Sequence, residues 1–204
     1  MSVERATVGE LLESVAARRP TPGGGAVAAL TAGLAAALGE MVLRYRLGKP
    51  PRQAPHQELH QRALDTLSRL RAAAPRLADA DVEAFDRLSA LWKLDPGDER
   101  RRREFPGAVE AAIAAPRKVI EASLEALEAL HGVRDSAGKR LRSDLAIAAL
   151  LAQAAAEAAA WNVRVNLPQV ADRSQAARLE TETAAALRRA GALRAEIEQA
   201  CQSG

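Results

Sequence analysis

The sequence predicts an all-α protein: a single-domain, antiparallel bundle of about five or six helices. Three observations lead there. Hydrophobic residues make up 48% of the 204 and aromatic residues only 2%, so the core must be built from Ala, Leu, Val and Ile, and small side chains let helices approach closely. Apolar residues recur with helical period along almost the whole chain. The Pro- and Gly-bearing breaks are short, which makes successive helices antiparallel neighbours. No internal repeat, low-complexity tail or long linker divides residues 1–204, so they read as one domain.

The elements follow in order. Residues 3–18 form a short amphipathic segment with Val8, Leu11, Leu12 and Val15 on one face. Pro20 to Gly25 breaks it. A long apolar helix then runs from about Gly24 to Leu47, and its small residues Ala28, Ala32, Ala35 and Ala36 suit a central position. Gly48-Lys49-Pro50-Pro51 stops it. A third helix spans about Gln57 to Leu94, with Pro75 as a site of kinking or division. After the Asp95-Pro96-Gly97-Asp98 turn, a fourth reaches about Leu130, with Pro106 and Pro116 as interruptions. His131 to Lys139 reads as a polar loop. Ser143 is placed as the N-cap of a helix reaching Asn166. After Leu167-Pro168 a last helix covers about Ala171 to Ala200.

Composition excludes several classes of function. The net charge is +3, from 29 basic and 26 acidic residues. That is a weak basic excess for a nucleic-acid-binding domain, and few rings are present to stack single-stranded bases. The run Arg100 to Arg103 sits beside Glu99 and Glu104 and reads as a solvated face. Cys201 is the only cysteine, so no intrachain disulfide forms and a reducing, cytoplasmic setting fits. Residues 26–43 are apolar, but Glu40 interrupts them and Ala and Gly dominate. That favours a buried bundle helix over a membrane span. His56 and His60 are spaced i, i+4 without the His-Glu-x-x-His order of a zinc site. They too read as a solvated face. His131 has no identifiable partner.

Three features can carry chemistry. Thr21-Pro22-Gly23-Gly24-Gly25 opens the apolar helix. Its backbone N–H groups and the positive helix start can hold an anion or an oxyanion, and the same glycines also suit a tight turn between packed backbones. In Asp79-Ala80-Asp81-Val82-Glu83-Ala84-Phe85-Asp86, Asp81 shares its helical face with Leu77, Ala84, Phe85, Leu88 and Trp92. A carboxylate on a buried face must be paired, raised in pKa or used in chemistry. An Arg or the start of another helix would satisfy it structurally. The third feature joins Asp144, in Arg142-Ser143-Asp144, to Asn162 and Asn166, in Asn162-Val163-Arg164-Val165-Asn166-Leu167. Asp144 and Asn162 lie five turns apart on one face, about 27 Å, too far to share one small group. Taken singly, each is better explained by helix capping, Asp144 at the start of the helix and Asn162 and Asn166 at its end.

Taken together, these segments resemble the cyclodeaminase/cyclohydrolase family of folate enzymes. That family includes the C-terminal domain of formiminotransferase-cyclodeaminase and the stand-alone methenyltetrahydrofolate cyclohydrolases. The resemblance rests on Pro22-Gly23-Gly24-Gly25-Ala26-Val27-Ala28-Ala29 with Glu40-Met41-Val42, then Asp79-Ala80-Asp81-x-Glu83-Ala84-Phe85. It continues in Arg142-Ser143-Asp144-Leu145 and Asn162-Val163-x-x-Asn166-Leu167, and spans about Leu11 to Asp172. It implies a helical homodimer acting on a tetrahydrofolate derivative, with no metal or redox cofactor and no nucleic-acid or membrane partner. The family's catalytic aspartate matches Asp81. Gly23, Gly24, Gly25, Asp144, Asn162 and Asn166 match positions near the folate. The chain departs from the family at Gly48-Lys49-Pro50-Pro51-Arg52 and at Leu94-Asp95-Pro96-Gly97, where relatives carry a basic or aromatic stretch and a Leu-Pro-Lys segment. Lys93 is the candidate replacement for that lysine. The activity implied is 5-formiminotetrahydrofolate cyclodeamination or 5,10-methenyltetrahydrofolate hydrolysis, with Asp81 as general acid/base. The alternative is a non-catalytic folate-binding or interaction protein on the same fold. With so few rings, glycine backbone, amides and aliphatic walls are expected to carry folate recognition rather than stacking.

Overall fold

The computed structural model describes residues 3–47 and 56–202. The departure at Gly48 to Arg52 lies outside them. The described residues form six α-helices, α1 (Val8–Ala16), α2 (Gly24–Leu47), α3 (Gln57–Trp92), α4 (Glu99–Val133), α5 (Arg142–Asn166) and α6 (Arg173–Gln202), with no strand among them.

Local side-chain caps set three of the six helix starts. Thr7 and Glu10 close a reciprocal capping box at α1. The Asp98 carboxylate accepts from the Arg101 N–H at α4, 3.0 Å, and Asp172 accepts from the Ser174 and Gln175 N–H groups at α6. The start of α5 differs from the expectation. A 3₁₀ turn at Lys139–Leu141 feeds directly into Arg142, no side chain caps the helix, and Ser143 is exposed.

The prolines also behave differently from expectation. Helix α3 passes Pro75 unbroken, and α4 passes both Pro106 and Pro116. Each proline removes one backbone hydrogen bond and costs about 3 kcal/mol in a helix interior. Packed faces spread along 36 and 35 residues offset that, because tertiary burial rather than propensity supplies most helix stability. Helix α4 also reaches Val133, so His131 belongs to its last turn. There the His131 ring nitrogen meets Glu196 Oε2 of α6 at 2.6 Å.

Helix α2 is the inner helix, packed against α3 on one side and α5 on the other. The predicted small positions Ala28, Ala32, Ala35 and Ala36 are all buried. At Gly33 the backbones come so near that a Cβ would run into the Ala74 methyl of α3. Helix α5 repeats this logic with Ala148, Ala149, Ala152, Ala155, Ala156, Ala159 and Ala160, each fully buried. By length and composition α2 and the 139–169 stretch would suffice to cross a membrane. Here they pack against each other as core helices. Glu40 is buried in α2 and accepts from Arg71 Nε at 2.6 Å and from Arg44 at 3.1 Å. Burial pushes its carboxyl up, but Arg71, Arg44 and Ser68 outweigh that and hold it below the usual glutamate value. Its contribution is present above the ordinary glutamate range and is lost as pH falls through the lowered value.

Contacts running along the helices fix their directions. Gly25 meets Asp81 and Gly33 meets Ala74, so α2 and α3 are antiparallel. Gly24 meets Asn162 and Gly138 meets Arg46, so α2 and α5 are antiparallel as well. One end of the bundle therefore gathers the start of α2, the last third of α3 and the end of α5. Asp144 belongs to the other end.

The histidine pair resolves in a way its spacing did not show. His56 is exposed, but His60 is buried and its Nε2 lies 2.6 Å from Ser136 Oγ. Ser136 donates its own hydrogen to the Val133 carbonyl, which leaves His60 Nε2 as the donor. The run at Arg100 to Arg103 is the expected solvated face, with Arg100 and Arg103 paired to Glu104.

Candidate active site

A pocket of about 350 Å³ opens at the gathered end. Its wall contains Gly23, Gly24, Gly25, Asp81, Asn162 and Asn166, so six of the eight candidate residues come together. Asp144 stands at the far end of α5, as its spacing required. Lys93 is exposed one residue beyond Trp92 and is outside the lining.

Asp81 sits at the centre of this geometry. The first N–H groups of a helix have no intrahelical partner, and Gly23 has no side chain with which to cap α2. Asp81 reaches across from α3 toward the Ala26 N–H instead. The start of another helix is thus the structural partner. No Lys or Arg pairs with Asp81 among the described residues. Burial raises its carboxyl above the ordinary aspartate value, and the Ala26 N–H only partly opposes that. Glu83 and Asp86 are exposed, and Asp79 is half-buried. Asp79 accepts from the Val3 N–H at 2.7 Å, and Asp86 accepts from Thr21 Oγ at 3.3 Å, which ties the glycine turn to α3.

Gly25 makes the approach of Asp81 possible. A Cβ there would fall on the Asp81 carboxyl group, closer than the 3.0 Å that real Cβ atoms keep. At Gly24 the same test meets only the Asn162 amide, at 3.9 Å. The need for glycine at position 25 is one of space, since no residue of the turn has a positive φ.

The two asparagines extend this wall. Asn162 donates to the Ala158 carbonyl at 3.3 Å. Asn166 is buried and donates to the carbonyls of Asn162, at 2.9 Å, and of Ala112, at 3.3 Å. It thereby locks the end of α5 against α4. Ala112 lines the pocket too. As one alanine among many on α4, it carried no signal in the sequence.

Phe85 and Trp92 also line the pocket, along with Leu88. The sequence pointed to glycine, amide and aliphatic walls, and two rings line this pocket beside them. Two of the chain's five aromatic residues stand in one wall. The signal was present: both share the face of Asp81. Among the described residues, no three His, Cys, Asp or Glu side chains gather as a metal site.

Residues 7–185 match the family described as formiminotransferase-cyclodeaminase. The chain belongs to the formiminotransferase-cyclodeaminase family. Methenyltetrahydrofolate cyclohydrolase of Methylorubrum extorquens is 30% identical to it over 201 residues, covering 97% of this chain and 96% of that relative. Formimidoyltransferase-cyclodeaminase of Rattus norvegicus is 32% identical over 172 residues, 82% of this chain but 31% of that relative. This family member thus aligns with under a third of the longer protein. The solved structure of formiminotetrahydrofolate cyclodeaminase from Thermotoga maritima superposes with a TM-score of 0.85, at 27% identity and 98% coverage of both chains. That structure shares the fold of this all-helical bundle.

Proposed function

We propose that the protein is a folate one-carbon enzyme, acting on 5-formiminotetrahydrofolate or on 5,10-methenyltetrahydrofolate. The observation that carries this is Asp81, a carboxyl with no cationic partner among the described residues and a pKa raised by burial, facing a pocket walled by the glycine turn and amides. The names of relatives matched along nearly their whole length support the same reading.

Both reactions convert one carbon through a tetrahedral state. In cyclodeamination, N10 attacks the formimino carbon, its proton leaves, and the bond to the departing ammonia breaks. In hydrolysis, water adds to the amidinium carbon, a proton leaves the water, and one ring C–N bond breaks as nitrogen takes a proton. A carboxylate that accepts the first proton and returns it to the departing nitrogen serves either course. A pKa moved toward neutrality suits that double role. Asp81 is assigned as this acid/base. The N–H groups of Gly23, Gly24 and Gly25 and the amides of Asn162 and Asn166 orient the pterin. This chemistry uses no cofactor. A cytoplasmic setting suits it.

Parallel assays of the two folates, following methenyl absorbance and ammonia release, test the reading. Turnover of one or both is expected. Binding of folate without turnover would point to the non-catalytic alternative, and failure to bind either would end the folate assignment.

A homodimer belongs to the same reading. Helix α5 carries an exposed apolar stripe of Ile147, Leu150, Trp161 and Val165, and α2 beside it exposes Val27 and Leu34. Contiguous apolar surface of this kind marks an interaction face. The stripe ends at Val165, which lines the pocket. Sedimentation is expected to give twice the chain mass, and Leu150→Glu should shift it toward monomer. A monomeric wild type at micromolar concentration would contradict the dimer.

A further inference from the structure

We propose that Phe85 and Trp92 form a stacking wall for the p-aminobenzoyl ring of the substrate, so that the folate lies along α3 with its glutamate end toward Lys93. This rests on the folate reading of the pocket and adds an orientation to it. Asp81, Phe85 and Trp92 occupy one ridge of α3, and all three line the same pocket. Along the helix axis Phe85 lies about 6 Å beyond Asp81 and Trp92 about 16 Å beyond it. Long helical side chains lean back toward the helix start, so the indole reaches toward Asp81. Trp92 is 40% exposed, which leaves ring area for a ligand to cover.

The pocket is chemically unequal along this ridge. Beside Asp81 stand the groups that can hydrogen-bond a pterin: the glycine turn, which meets Asp81 at Gly25, and the Asn162 amide, which meets Gly24. Beyond Asp81 the wall is aromatic and aliphatic, through Phe85, Leu88 and Trp92. The charge changes along the same line. Residues 79–87 carry Asp79, Asp81, Glu83 and Asp86 against Arg87 alone. Residues 93–104 carry Lys93 and Arg100 to Arg103 against four acids. A folate substrate has the matching order: a hydrogen-bonding pterin, the reacting carbon, a flat ring, then carboxylates. With the reacting carbon at Asp81, only one direction places the ring on the aromatic wall and keeps the carboxylates from the acidic end.

The chain has two tryptophans, so Trp161→Phe leaves Trp92 as the sole indole. In that variant, p-aminobenzoylglutamate alone is expected to quench the emission saturably, while a tetrahydropterin lacking the arm leaves it unchanged. Emission that answers the pterin and not the arm would overturn the orientation. In steady-state turnover, Trp92→Ala is expected to raise KM on the order of tenfold with kcat held within about twofold, and Trp92→Phe to restore KM. An unchanged KM would remove the wall. If the wild type turns over neither folate, the functional reading fails, and the fragment titration still decides the wall by itself.

Discussion

Asp81→Asn is expected to reduce turnover to a small residual rate while leaving the bundle folded. General acid/base groups contribute about 10²–10⁴-fold, so kcat should fall by at least about a hundredfold on whichever folate the wild type converts. Asparagine is the informative replacement because Asp81 has two roles that this change separates. Its carboxyl faces the Ala26 N–H at the start of α2, and a carboxamide oxygen can face it in the same way. Only the proton transfer is lost. The stability sign follows from the raised pKa. Between the ordinary aspartate value and the raised one, the folded state holds a proton that the unfolded state has released. Stability therefore rises as pH falls through the folded value, and above that value the ionised group is held at a cost. The variant should melt at or above the wild-type temperature at pH 7. A large loss of stability would mean that the residue is chiefly structural, and full activity would remove it from the mechanism.

Gly25→Ala is expected to damage the same function by a different route. The new methyl would occupy the place of the Asp81 carboxyl group. Either the carboxyl turns away or α2 and α3 separate. Misplacing a catalytic group by about 1 Å can cost on the order of 10²-fold, and overpacking at such a contact costs about 1–3 kcal/mol. The variant should lose kcat about a hundredfold and melt several degrees lower, in contrast to the Asp81 variant. Gly107→Ala serves as its control. Nothing lies within 4 Å of a Cβ there, and in a helix alanine is favoured by about 1 kcal/mol. Unchanged kcat in Gly25→Ala would show that Asp81 does not need its observed position.

The residues that made the fold and part of the site legible were those whose type and period agree. The alanines of α2 implied close helix contact, and the structure buries them in an inner helix. Asp81 stood out because its register placed a carboxylate on an apolar face. Its partner, the Ala26 N–H, was accessible only as a type of contact, since a backbone group has no sequence signature. The three prolines misled because propensity describes one residue, while burial along a whole helix decides whether it continues. His60 misled because i, i+4 spacing does not tell a wet face from a dry one. The presence of two rings in the pocket went unweighed for a reason of scale. A low total says little about where the few rings stand, and two of the five stand in the pocket. Ala112 and Asn166 meet only through the packing of α4 on α5, a contact across 54 positions that spacing within one helix cannot show.

The pH dependence of kcat/KM, measured for the wild type and for the residual activity of Asp81→Asn, tests the central claim most directly. The account predicts an acid limb in the wild type lying above the ordinary aspartate value of 3.8, because the base must be ionised and burial raises its pKa. It predicts that the limb is absent from the variant. A wild-type limb at the ordinary value, or the same limb in both proteins, would contradict Asp81 as the acid/base of this pocket.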